Sequence, residues 1–412
     1  MNQKTYVPFT KEMKKTYTIL APNMLPIHFE LILQVLRNEG YKIDLLKTTG
    51  SEIIETGLKY VHNDTCYPAI LVIGQFIHAI QSGKYDPRKV ALIYFQTGGG
   101  CRASNYIFLL RKALQRAGYD YIPVISFSMA GLEKHPGFSP GIGTLHRMMY
   151  ALLYADLLMS LVGQTRPYEL QRGSAQALAD EFCRSLADEM QRNGVSWRRV
   201  KPRMREIIQR FAEIPCDRSV KKPLCGVVGE IYVKFSPLGN NNLEQFLTDN
   251  GAEVALPGLM NFMLYCLYNQ VTDYALYRRG RITHIAAGVA MRFILQKQRE
   301  VAALYRASGI FRAPEDFAHT VELAEKCIGH GCKMGEGWLL PAEMLALADS
   351  GVRNIVCAQP FGCLPNHICG KGMMKPIKEA YPEANIVAID YDASASRVNQ
   401  ENRLKLMLSN AR

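Results

Sequence analysis

Eleven cysteines are spread over 412 residues, and several stand where one element gives way to the next. Cys66 lies in His62-Asn63-Asp64-Thr65-Cys66-Tyr67-Pro68-Ala69, and Pro68 marks a helix start because a first turn leaves its N–H unpaired anyway. Cys101 follows Gln96-Thr97-Gly98-Gly99-Gly100 and precedes Arg102-Ala103-Ser104-Asn105. Three glycines let the backbone approach a ligand closely. At a helix start the free N–H groups favour a thiolate on Cys101, and Arg102 adds to that effect. Cys357, Cys363 and Cys369 fall in or beside Pro360-Phe361-Gly362-Cys363-Leu364-Pro365-Asn366-His367-Ile368-Cys369-Gly370-Lys371-Gly372, which ends in glycines before another helix.

A cysteine taken alone is more often a small buried hydrophobe than a ligand. Cys183, Cys225 and Cys266 fit that description, on expected helices or inside a strand. Cys66, Cys101 and Cys363 instead occupy loops at helix starts, the pattern of ligands. Cys357 stands at an expected strand end, where burial and ligation are equally open. Cys327 and Cys332, in Cys327-Ile328-Gly329-His330-Gly331-Cys332, form a further loop, and Cys369 could extend the main one. Cys216 beside Pro215 has no clear reading. Residues 1–17 are polar, with four lysines and no apolar core of an export signal. A cytoplasmic location is expected, and there thiols stay reduced, so disulfides are not. An all-thiolate set suits zinc or an iron–sulfur cluster. Structural zinc brings tight cysteine pairs within one small module, which are missing here. Dispersed ligands fit a cluster between domains better. The alternative for Gly98 to Gly100, a phosphate cradle, lacks both the Gly-Lys-Ser/Thr ending and dinucleotide spacing.

What must position these residues is an alternation of strands and helices. The patterning predicts strands at 17–20, 41–46, 90–95 and 121–126, with helices at 26–38, 69–82 and 105–117 between them. Residues 142–211 read as helical almost throughout. A second half restarts with strands at 224–228, 253–256, 352–357 and 385–390, and helices at 243–250, 341–350, 373–380 and 396–408. A helical insertion at 259–326 interrupts it. Such alternation implies parallel sheets, and the length suits two cores. The expected fold class is therefore α/β: two Rossmann-like parallel-sheet domains with additional helices. Residues 14–215 form the first with a helical connector, residues 216–412 the second with the insertion, and the cluster sits at their junction. Ligands of open α/β sheets bind outside the carboxyl ends of the strands, where these loops lie.

Composition narrows the classes further. An apolar share of 48% with 21% charged residues is that of a globular protein. The net charge of +12 is concentrated at Arg198, Arg199, Lys201, Arg203, Arg205, Arg210, Arg218, Lys221 and Lys222. That run reads as the solvated face of a connector helix, or else as a face for an acidic protein or CoA phosphates. No stacking aromatics are interleaved beyond Trp197 and Phe211, so no nucleic acid is expected. The longest apolar stretch, 150–163, is short and contains Asp156, so no membrane span is expected either.

Segments 63–69, 97–106, 226–235, 335–344 and 360–372, with 385–408 after them, resemble the 2-hydroxyacyl-CoA dehydratase superfamily. The likeness is to its activase-associated members, found alone or as the C-terminal part of large dehydratase activators, and to double-cubane cluster proteins. Pro360-Phe361-Gly362-Cys363-Leu364-Pro365-Asn366-His367 and Gly335-Glu336-Gly337-Trp338 are its specific strings. The resemblance implies an oxygen-sensitive cluster, [4Fe–4S] or double-cubane 8Fe–9S, between two Rossmann-like domains. It also implies a separate ATP-hydrolysing activase of the acetate and sugar kinase fold, with its own iron–sulfur cluster, that injects low-potential electrons. Relatives make a ketyl radical from acyl-CoA or reduce small molecules. No ATPase domain is present in this chain, so the activase is expected in trans, together with a small-molecule substrate and a homodimer. The expected metal ligands are Cys66, Cys101, Cys357 and Cys363. Asn63, Asp64, Arg102, Asn105, Asn366, His367 and Lys371 are expected to hydrogen-bond the cofactor or touch substrate. Three or four thiolates would hold one cubane; six, with Cys327, Cys332 and Cys369, would hold two. Alternatives are a non-catalytic electron carrier or cluster scaffold, and a zinc-stabilised CoA-binding protein.

Overall fold

Short apolar runs rich in Ile, Leu and Val form strands that helices cover on both faces, which is how parallel sheets are buried. The computed structural model describes residues 6–95, 100–127 and 133–410. β1 (Thr18–Pro22), β2 (Ile43–Leu46), β3 (Val90–Phe95) and β4 (Val124–Phe127) form one parallel sheet in the order β2-β1-β3-β4. β5 (Leu224–Gly229), β6 (Glu253–Ala255), β7 (Asn354–Pro360) and β8 (Asn385–Tyr391) form a second, in the order β6-β5-β7-β8. The two orders are the same topology twice. Each has a switch point, between β1 and β3 and between β5 and β7, where the connections leave in opposite directions and open a crevice.

In the first half the helices are α1 (Lys11–Thr16), α2 (Pro26–Asn38), α3 (Ser51–Tyr60), α4 (Tyr67–Gln81) and α5 (Tyr106–Ala117). The expected helical stretch 142–211 is three helices, α6 (Ile142–Thr165), α7 (Ser174–Asn193) and α8 (Trp197–Ala212). The second half adds α9 (Ile231–Phe235), α10 (Leu243–Asp249), α11 (Leu259–Tyr277), α12 (Arg281–Ser308), α13 (Phe317–Glu325), α14 (Leu339–Asp349), α15 (Met374–Ala380) and α16 (Arg397–Ser409). α1, α3 and α9 were not expected. α3 buries only Ile53 and Gly57, and its apolar signal is thin. It is held by backbone contact with α4: a Cβ on Gly74 would lie 2.1 Å from the Ile53 carbonyl oxygen, and one on Gly57 2.2 Å from that of Ile70.

The connector and the insertion turn out to be core. α6 packs against α2, α7, α8, α11 and β6, and Tyr154, Phe182, Met204, Tyr265, Tyr305 and Trp338 share one buried cluster. α6 is long and apolar enough to cross a bilayer, yet over half of its apolar window is buried in protein. Its Asp156 accepts the Leu259 and Met260 N–H groups at 2.7 and 2.9 Å and pairs with buried His28 at 2.7 Å. That carboxylate caps the N-terminus of α11, whose own N-cap, Gly258, has no side chain to do so. The basic run lies largely on α8, which turns Val200, Met204, Ile207, Ile208 and Phe211 inward. Its charges pair along the surface, Arg203 with Glu189 and Glu206, and Lys201 with Glu300.

Candidate metal centre

Three cysteines reach one crevice from loops of both halves. Cys66 is the N-cap of α4; its loop follows α3 rather than a strand. The next residue, Tyr67, donates its N–H to the Phe361 carbonyl at 3.2 Å, which ties α4 to the loop after β7. Cys101 opens a 3₁₀ turn, Arg102–Asn105, ahead of α5. Cys363 follows Gly362, whose φ of +74° is a left-handed conformation that favours glycine. A Cβ at Gly362 would stand 3.3 Å from Arg102 Nη1 and 3.5 Å from Cys66 Cα, so all three loops meet there. Gly335, at φ +59°, closes the other side: a Cβ there would lie 3.0 Å from Pro365 Cγ and 3.8 Å from Cys101 Sγ. The Tyr265 hydroxyl lies 2.9 Å from both the Lys333 and the Gly335 carbonyl and shares its one proton between them, fixing this glycine turn.

Two acids that carried no expected role share the crevice. Glu230 N-caps α9 through Val233 N–H at 2.8 Å, and Glu336 Oε1 accepts the Ile231 N–H at 3.0 Å. Burial and the facing Glu336 push the Glu230 carboxyl up, and burial pushes Glu336 up as well. Lys234 lies near both and is itself bonded to Glu343 at 3.0 and 3.2 Å, in a fully enclosed ion pair. Burial raises the Cys66 thiol to about 12, aided by Glu230 and opposed by the Tyr106 hydroxyl bonded to it. Cys363 is raised further by burial, Glu336 and Glu230.

Cys101 corrects the expectation of a stabilised thiolate. Its thiol is raised, because burial and the two carboxylates outweigh the N–H groups of Ala103 and Arg102, which do act in the expected direction. The Arg102 guanidinium is turned away to the Asp64 carbonyl at 3.2 Å. A four-residue 3₁₀ turn also carries little dipole. The residues that could have signalled Glu230 and Glu336 are their neighbours: Gly229, which ends β5 directly before Glu230, and Gly335 and Gly337 around Glu336 before α14.

Cys357 is not brought to the other three. β7 runs to Pro360, beyond the expected end at 357, because it pairs with β8 as far as Pro360↔Tyr391. Cys357 is therefore mid-strand and fully buried. Its thiol donates to Asn366 Oδ1 at 3.4 Å, and the charges it feels are Asp390 and Lys371. Asn366 is enclosed and donates to the Ala358 carbonyl at 3.1 Å, so it supports the loop from behind. His367 is exposed; its Nδ1 bonds the Cys363 carbonyl at 2.7 Å, and its Nε2 accepts from Gln359 at 2.7 Å. Asn63, Asp64 and Asn105 are exposed on the crevice rim, and Gln96 to Gly99 lie outside the described residues.

Cys332 and Cys369 form a second neighbourhood. Exposed Cys332 adds to the burial that raises the Cys369 thiol to about 11. Cys327 is half-buried at the end of α13. Cys183 and Cys225 are buried as expected, whereas Cys266 sits exposed on α11.

Among the described residues, no three His, Cys, Asp or Glu side chains are spaced to hold a single metal ion. Tetrahedral zinc, with bonds of about 2.3 Å, needs its thiolates within roughly 4 Å of one another. Cys66, Cys101 and Cys363 share a crevice without closing on a point. Three thiols are the donor type that an iron–sulfur group takes. No protein-family model and no curated protein sequence matches the chain.

Proposed function

We propose that this protein is an iron–sulfur redox protein related to the activase-associated 2-hydroxyacyl-CoA dehydratase superfamily, with Cys66, Cys101 and Cys363 as ligands of its cluster. The observation that carries the reading is the meeting of these three cysteines, from loops of both halves, at Gly362 and Gly335. When bound, the cluster would be held by Cys66, Cys101 and Cys363 and would supply a low-potential electron to a substrate. The chain's own groups do the rest. Tyr106 packs against Cys66, and His367 holds the Cys363 carbonyl, contacts of the kind that tune a cluster's potential. Glu230 and Glu336 sit where a proton would be held beside the reacting group.

Electrons come from an ATP-hydrolysing activase in trans, in a reducing, cytoplasmic compartment. Exposed Met334, Phe361, Leu364 and Ile368 on the crevice loops support contact with a partner there. The substrate is a small molecule, an acyl-CoA or another reducible compound. Anaerobically isolated protein should be brown and should bleach in air. Turnover of a substrate only with activase and ATP would establish an enzyme. Reduction of the cluster without turnover would establish a carrier or scaffold, and a colourless zinc protein would overturn the proposal.

A further inference from the structure

The N-terminal half of α12 stands apart from the shared core. Of residues 281–293 only Ala287 is buried, and this half leans on α11. Ile282, Ile285, Val289 and Phe293 follow one another at spacings of three and four residues, which places them on one face of a helix. That face points outward: Ile282 is 85% exposed and Val289 63%. Single exposed hydrophobes are ordinary, but an aligned stripe of four is a contact surface. Gly288 adds a separate sign. A mid-helix glycine costs about 1 kcal/mol relative to alanine, yet a Cβ there would meet nothing within 4 Å. The fold itself does not require this glycine, which lies on the same flank of the helix as Arg281 and Arg292.

Charge identifies the occupant. Residues 278–292 contain Arg278, Arg279, Arg281 and Arg292 and no Asp or Glu, whereas Lys297 and Arg299 further along pair with Glu300 and Asp316. Arg281 and Arg292 lie on one flank of the stripe, and neither has an ion pair among the described residues. In an antiparallel pair about a twofold axis the same flank of each helix faces itself. A second copy of this chain would thus set Arg281 against Arg292. We infer that the stripe is a docking surface for an amphipathic helix of a different protein, one whose apolar side is flanked by Asp or Glu. The site has a place near the crevice. The last residues of α11, Leu276 and Tyr277, lie against Gly331, three residues before Met334, which packs on Gly100 beside Cys101. The inference stands without the cluster assignment, because it concerns binding alone.

The test uses two labelled synthetic helices that share a leucine stripe, one flanked by glutamates and one by lysines, titrated with full-length protein in fluorescence anisotropy. The acidic helix should bind, weaken with added salt, and weaken at least about tenfold for the double variant Ile282→Glu/Val289→Glu. Arg281→Glu/Arg292→Glu should weaken it while leaving the apolar stripe intact, and far-UV circular dichroism confirms that both variants fold. The inference is overturned if neither helix binds or if both bind equally. It is also overturned if sedimentation shows a dimer that Ile282→Glu/Val289→Glu converts to monomer, since a second copy then covers the face.

Discussion

Replacing Cys357 separates a structural thiol from a ligand. Cys357→Ala removes a sulfur packed against Asn366 and within 3.3 Å of a Cβ position at Gly370, on the order of 1 kcal/mol of packing. It also removes the donor to Asn366 Oδ1. An enclosed acceptor left without a partner costs about 1–3 kcal/mol; a thiol is a weak donor, so the low end applies. The sum is about 2 kcal/mol, enough to lower the urea midpoint clearly. Cys357→Ser restores a donor and should recover roughly half of that loss. Both variants should keep the iron content of the wild type, because Asn366 still holds the Ala358 carbonyl and the Cys363 loop with it. Urea titration with iron analysis on the same preparations decides the matter. Loss of iron from Cys357→Ser with an unmoved urea midpoint would refute the reasoning and make Cys357 a fourth ligand.

Gly362→Ala forces a side chain into a left-handed residue, about 1–2 kcal/mol, and toward Arg102 and Cys66; iron content should fall although no thiol is removed. Lys234→Met leaves Glu343 enclosed and unpaired, about 3–5 kcal/mol, seen as a large drop in Tm. Lys234→Met/Glu343→Leu should recover most of it. Burial and the facing Glu336 hold Glu230 above the ordinary 4.5 in the folded state, so the native iron-free protein keeps a proton that the unfolded chain releases. That contribution is complete below 4.5 and is lost as pH rises through the raised value. Urea midpoints of iron-free protein should therefore fall toward alkaline pH, and Glu230→Gln should flatten the trend.

Much of the fold was legible because its apolar periodicity is strong. The expected helix 26–38 and strand 90–95 match α2 and β3, and both four-strand parallel sheets were foreseen. The misses share a cause, namely that tertiary contact decided them. α3 is held by close approach to α4, α9 is one turn begun by the Glu230 cap, and β7 gained length from its pairing with β8. Cys101 shows the same limit at the site. Its glycine approach and Arg102 are local and readable, whereas the burial that raises its thiol, helped by the carboxylates of residues 336 and 230, comes from tertiary packing. Sequence patterning likewise read residues 142–211 and 259–326 as appendages, because an apolar helix face does not state which domain it will cover.

The account's central claim is that Cys66, Cys101 and Cys363 hold one iron–sulfur group across the two halves. The most direct measurement is iron and acid-labile sulfide per chain in anaerobically isolated wild type and in Cys66→Ala, Cys101→Ala, Cys363→Ala, Cys183→Ala and Cys266→Ala. The wild type should contain both, the first three variants should lose most of both, and the last two should keep them. Stoichiometric zinc without sulfide, or iron indifferent to Cys101 and Cys363, would contradict the claim.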